Sequence, residues 1–144
     1  MRKKIVAIAC LGMLGLVLLA LGSGCTGYKR YEAPWVAQHY GWDYFTLLHQ
    51  AYTDDDAARG FMLMGLVMDT APAEEYSTDL YKLTEARGDK QMVQLVESLP
   101  HSVRESMFMY LAYEGGRGES ETGWVGFKKS FPQLAQMIEA AEKP

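Results

Sequence analysis

The chain reads as all-α: one compact domain of five to seven short helices behind an N-terminal segment of different composition. Two observations predict this class. Apolar residues recur at spacings of three and four along most of the chain, the period of a helix with one buried face. Sustained apolar-polar alternation is missing, and so are the Asn-Gly and Asp-Gly pairs that close tight hairpins.

Taken in order, residues 25–34 read as a tether ending at Pro34, and residues 35–144 as the helical domain. Residues 35–52 are crowded with rings. Tyr28, Tyr31, Trp35, Tyr40, Trp42, Tyr44, Phe45 and Tyr52 place 8 of the chain's 17 aromatic residues in one short region. Gly41 breaks it, and a helix is expected from about Trp42 to Tyr52. Three roles compete for these rings: core packing, which the helical context favours, a belt at the membrane interface, or an open surface of Trp35, Trp42 and Tyr44 that stacks on cell-wall sugars.

Thr53 is the expected N-cap of the next helix, with Asp54, Asp55 and Asp56 in its first turn at the positive end of the dipole. The acidic triplet lacks the alternate spacing and distant glutamate of a calcium loop. Residues 57–68 are apolar nearly all round, which predicts the central helix, with Gly60 and Gly65 admitting close neighbours. Pro72 opens a helix to Arg87 with Tyr76, Leu80, Leu83 and Arg87 on one stripe, and Gly88 ends it. Asp89 is expected to cap a helix over 90–99 that buries Met92, Leu95, Val96 and Leu99. Ser102 and Glu105 have the spacing of a capping box for a helix to Glu114 that buries Val103, Met107, Tyr110 and Leu111. Residues 114–123 read as a glycine-rich loop, residues 124–129 as a short helix, and Ser130 to Glu142 as the last.

One internal echo stands out at an offset of 45 residues. It matches Arg59 with Arg104, Met62 with Met107, Met64 with Met109, and Leu66 with Leu111. A period near 45 falls in the range of helical-pair repeats, but a single short match in apolar composition falls below what such arrays need.

The first twenty-five residues are of another kind. Arg2, Lys3 and Lys4 precede an apolar run over residues 5–21, and Gly22, Ser23 and Gly24 lead into Cys25. Basic start, apolar stretch, small residues and cysteine, in that order, resemble the signal of a bacterial lipoprotein. The positive-inside bias orients the run with its C-terminal end outward. Gly22 stands where that pattern usually has leucine, with Leu21 one step early. The resemblance covers residues 1–25 only. It implies a signal peptide at 1–24, acylation of Cys25, a protein held on the membrane by its N-terminal lipid, and, because Thr26 is not aspartate, an outer-membrane location facing the periplasm. An uncleaved anchor and a secreted protein cut at a small residue are the alternatives.

Removing 24 of the 144 residues would leave 120, enough for a core without covalent staples. Cys10 would leave with the signal, so Cys25 would be the sole cysteine, with no internal disulfide and no thiol catalyst. Three of the fourteen basic residues would leave too, setting eleven against eighteen acidic ones. So acidic a domain, with no basic stripe, is a poor partner for nucleic acid.

No catalytic residue, cofactor or metal site is expected. His39, His49 and His101 have no zinc-protease spacing and no cysteine partner, and there is neither a serine elbow nor a phosphate loop with its lysine. Glu105 is the best candidate for a buried acid, and the capping box accounts for it. Seven methionines remain past Cys25. Met62, Met64, Met68, Met107 and Met109 either fill the core or line a groove for a partner's helix, Cu(I) being a remote third use. The expected role is therefore a binding, adaptor or assembly factor with an envelope protein partner, and the alternative is an envelope enzyme or wall-sugar-binding module using residues 35–52. Small helical lipoproteins that pilot secretion-system components to the outer membrane are similar in size and anchoring, a likeness of class that no motif carries.

Overall fold

A computed structural model describes residues 32–116 and 121–141, which hold eight α-helices, one 3-10 turn and no strand. The signal-like segment and Cys25 lie outside the described residues. The helices are α1 (Glu32–His39), α2 (Tyr44–Ala51), α3 (Asp55–Leu63), α4 (Ala71–Arg87), α5 (Asp89–Glu97), α6 (His101–Glu114), α7 (Glu121–Ser130) and α8 (Pro132–Ala141), with the 3-10 turn Met64–Leu66 continuing α3. The class is all-α, with one helix more than the upper expectation.

The additional helix is α1, which begins inside the stretch expected as tether. Pro34 fits there because first-turn amides have no acceptor within their own helix. The Ala33 amide instead donates to Glu75 Oε2 at 3.0 Å. Ala33 and Ala37, one turn apart, are fully buried and bring α1 close against α4. Gly41 ends this unit at φ +78°, a conformation that glycine adopts without steric cost.

Asp43 caps α2, accepting from the Thr46 amide at 3.1 Å. Asp54, not Thr53, caps α3: its Oδ1 accepts from the Ala57 amide at 2.7 Å, and Asp55 and Asp56 follow in the first turn. The apolar segment 57–68 is not one helix. It tightens into the 3-10 turn after Leu63, and Leu63 and Leu66 are exposed.

The longest helix is α4, with 17 residues, packed against α1, α5 and α6. Its buried polar groups are answered locally. Thr84 Oγ1 donates to Leu80 O at 2.8 Å and Ser77 Oγ to Glu74 O at 3.0 Å. Gly88, at φ +78°, closes α4 by donating to Thr84 O.

Two further capping expectations are corrected. Asp89 does not cap α5; its carboxylate accepts from the Gln133 and Leu134 amides at 3.0 and 2.9 Å and so caps α8. Its partner lies more than forty residues away, where local spacing carries no signal. Ser102 and Glu105 form no box: α6 starts at His101 after Pro100 with no side-chain cap, and Glu105 Oε1 lies 3.1 Å from His101 Nε2.

A chain of rings crosses the core. Tyr44 of α2 meets Phe61 of α3 at 5.4 Å, Phe61 stacks on Tyr76 of α4 at 5.2 Å, and Tyr76 meets Tyr110 of α6 at 5.1 Å. Each phenol reaches a partner: Tyr44 donates to Asp79 Oδ2 at 3.0 Å, Tyr76 contacts the Phe61 and Met62 carbonyls at 3.2 Å, and Tyr110 contacts those of Gly65 and Met68. A second set, Tyr81, Trp124, Phe127 and Phe131, seats α7 and α8, with Trp124 stacked on Phe127 at 5.0 Å.

Candidate functional site

The five methionines do not line a groove. Met62, Met64, Met68 and Met107 are buried in the core, and only Met109 faces outward, 59% exposed. After Leu63 the helix tightens into the 3-10 turn, the Gly65 and Met68 carbonyls accept from the Tyr110 hydroxyl, and Met64 and Met68 lie in the core. The offset-45 echo parts company here as well. Met64 is buried where Met109 is exposed, and Leu66 is exposed where Leu111 is buried.

Met109 and Tyr113 stand one turn apart on α6, 59% and 50% exposed. Together with Thr70, Ala73, Glu74 and Tyr110 they rim a shallow depression of about 280 Å³ between α6 and the start of α4. Thr70 holds φ +58°, the sole non-glycine residue in the left-handed region among the described residues. A β-branched residue there carries strain, which persists only where the surroundings impose it.

The aromatic surface is also rearranged. Tyr44 is 2% exposed and hydrogen-bonded to Asp79, so it cannot share an open face with Trp35 and Trp42. Its phenol is pushed well above its ordinary value by burial, and then by the adjacent Asp79 carboxylate. Core packing accounts for Tyr44, and Trp42 is half-buried. Trp35 and Tyr40 are 70% and 55% exposed. They belong to a ridge. Trp35 and His39 are one turn apart on α1, His39 meets Tyr40 edge-on at 5.5 Å, and Tyr40 stacks on Trp42 at 5.9 Å.

A third feature was not anticipated. Tyr52, Thr53, Asp55, Arg59, Arg87, Gln91, Gln94 and Leu95 line a polar cleft of about 440 Å³. Its floor is Arg87, whose guanidinium donates to Ala51 O at 2.6 Å, Asp55 Oδ1 at 2.6 Å and Asp54 O at 2.8 Å. Arg59 donates to Ser98 Oγ at 2.9 Å and Asp56 Oδ1 at 2.7 Å. Both cations are thus balanced by aspartates, and the cleft presents amides, hydroxyls and a ring rather than net charge. Its sequence signal was faint: Gln91 and Gln94 at helical spacing, and an arginine on an otherwise apolar stripe.

His39, His49 and His101 are all exposed. Glu105, with 59% of its side chain exposed, is not the buried acid that the sequence offered as a candidate. Among the described residues, no three His, Cys, Asp or Glu side chains converge as a metal site would require. Nor is any helix among them long and apolar enough to cross a membrane. No protein-family model, curated protein or solved structure matches this chain.

Proposed function

We propose that this chain is an envelope lipoprotein, acylated at Cys25, that acts as a binding or assembly factor for a protein partner rather than as an enzyme. The anchor rests on the order of residues 1–25: basic, apolar, small, cysteine. The partner role is supported chiefly by Met109. It is the one methionine of the five that faces outward, beside Tyr113 and an apolar hollow whose edge includes the strained Thr70. A flexible thioether with an aromatic neighbour suits an adaptable protein contact.

Photo-crosslinker placed at Met109 of the membrane-held protein tests this reading. One discrete adduct, absent when the crosslinker sits at Lys129 and weakened by Tyr113→Ala, is the expected result. Equal labelling from both positions, or none from Met109, would remove the partner surface. The anchor is tested separately with a palmitate analogue, whose incorporation is expected to vanish in Cys25→Ala.

A second reading has one observation in its favour. The Tyr52 cleft combines an aromatic ring with paired amides and balanced charge, a chemistry suited to a neutral sugar of the cell wall. Titration with soluble wall glycan fragments, followed by chemical shifts of the Gln91 and Gln94 side-chain amides, decides it: shifts that saturate favour it, and unchanged spectra remove it.

A further inference from the structure

We propose that α1 and its turn into α2 form the face laid against the membrane, with the Trp35–His39–Tyr40–Trp42 ridge seated at headgroup level on an anionic bilayer. This rests on the acylation of Cys25 proposed above and adds an orientation to it.

Connectivity comes first. Cys25 precedes Glu32, where α1 begins, by seven residues. Seven residues reach at most about 25 Å even when fully extended. An acyl chain on Cys25 therefore keeps α1 close to the lipid surface, whatever path the intervening chain takes.

The chemistry of the ridge comes second. Trp and Tyr favour the membrane-water interface because each joins an apolar ring to a polar N–H or O–H. Trp35 and Tyr40 are among the most exposed large side chains described, and ring contacts link Tyr40 to both His39 and Trp42. Lys29 and Arg30 lie in sequence between the lipid and the ridge, the right charge for anionic headgroups.

The scaffold comes third. Ala33 donates to Glu75 and Tyr44 to Asp79, so both helices flanking the ridge are tied to α4. The buried Ala33 and Ala37 fix which side of α1 is turned inward, and Trp35 is left on the outer side.

Protein purified from membranes and shown by mass to be acylated is reconstituted in phosphatidylethanolamine–phosphatidylglycerol vesicles. Tryptophan fluorescence is then quenched with lipids brominated near the headgroup end of the chain. Trp35, Trp42 and Trp124 are the only tryptophans. Trp35→Ser combined with Trp42→Phe, which removes both tryptophans of the ridge, is expected to lose most of the quenching. Trp124→Phe, in the second ring cluster, is expected to keep it. A doubly substituted Trp35→Ser, Trp42→Phe protein quenched as strongly as the parent, or an acylated parent not quenched at all, would overturn the proposed orientation. Protein found without lipid would instead overturn the anchor itself. Should the helical circular dichroism of either variant change, protection of the α1 amides from exchange on the vesicles replaces fluorescence, with unchanged exchange counting against the proposal.

Discussion

Gly65 lies where two helices reach the 3-10 turn. A β-carbon there would stand 3.0 Å from the Tyr76 hydroxyl, 3.1 Å from Ser106 Oγ and 3.2 Å from the Tyr110 ring. Gly65→Ala is expected to cost about 1–3 kcal/mol by pushing both tyrosines off their carbonyls, read as a lower urea midpoint. Thr70 offers the opposite change: Thr70→Gly relieves its positive φ and is expected to raise stability by about 1 kcal/mol in the same measurement. The tyrosines also set an alkaline limit. Burial raises the phenols of Tyr44, Tyr76, Tyr81 and Tyr110 above the ordinary value of 10.0. Raised in the fold, they contribute stability that is fully present below pH 10 and is lost progressively above it, as the unfolded chain ionises first. Tyrosinate absorbance is expected to rise together with the loss of helix; a rise completed before helix loss would contradict the buried placement. Small residues at helix crossings were legible in the sequence because glycine inside an apolar helix has few other uses. The roles of Asp89 and Glu105 were not, because each is decided by which residue folding brings near.

Arg87 joins the end of α4 to the α2–α3 connection through three hydrogen bonds, with 5% of its side chain exposed. Arg87→Met is expected to destabilise by about 2–3 kcal/mol, because two backbone carbonyls lose a charged donor. Asp55→Asn should cost much less, since 63% of that side chain is in water. Near-equal losses in chemical denaturation would contradict this division. Most of the helix order was readable from period and punctuation. Gly88 and Pro72 marked the ends of α4, and the stripe through Tyr76, Leu80, Leu83 and Arg87 is the buried one. Two limits were not readable. The run 57–68 looked continuous because hydropathy does not register the tightening after Leu63. The first helix looked like tether because its burial rests on two alanines and an amide answered by Glu75. Of the sites, the methionine and tyrosine groupings were visible as composition, but exposure selected Met109 and Trp35 and withdrew Met64 and Tyr44.

The molecule as a whole sets a signal-like segment ahead of a helical domain. Residues 1–25 resemble a lipoprotein signal, and the helical domain follows within a few residues of Cys25. Among the described residues the scaffold holds a phenol-lined interior and carries the ring ridge, the Met109 hollow and the Tyr52 cleft at its surface. The ridge is proposed to meet the membrane and the hollow a protein, and both proposals depend on the proposed anchor at Cys25. The mass of the N-terminal peptide from protein recovered in the membrane fraction tests that dependence most directly. A peptide that starts at Cys25 and carries the added mass of acyl chains is the expected result. A peptide that still contains residues 1–24, or that begins at an unmodified residue, would contradict it.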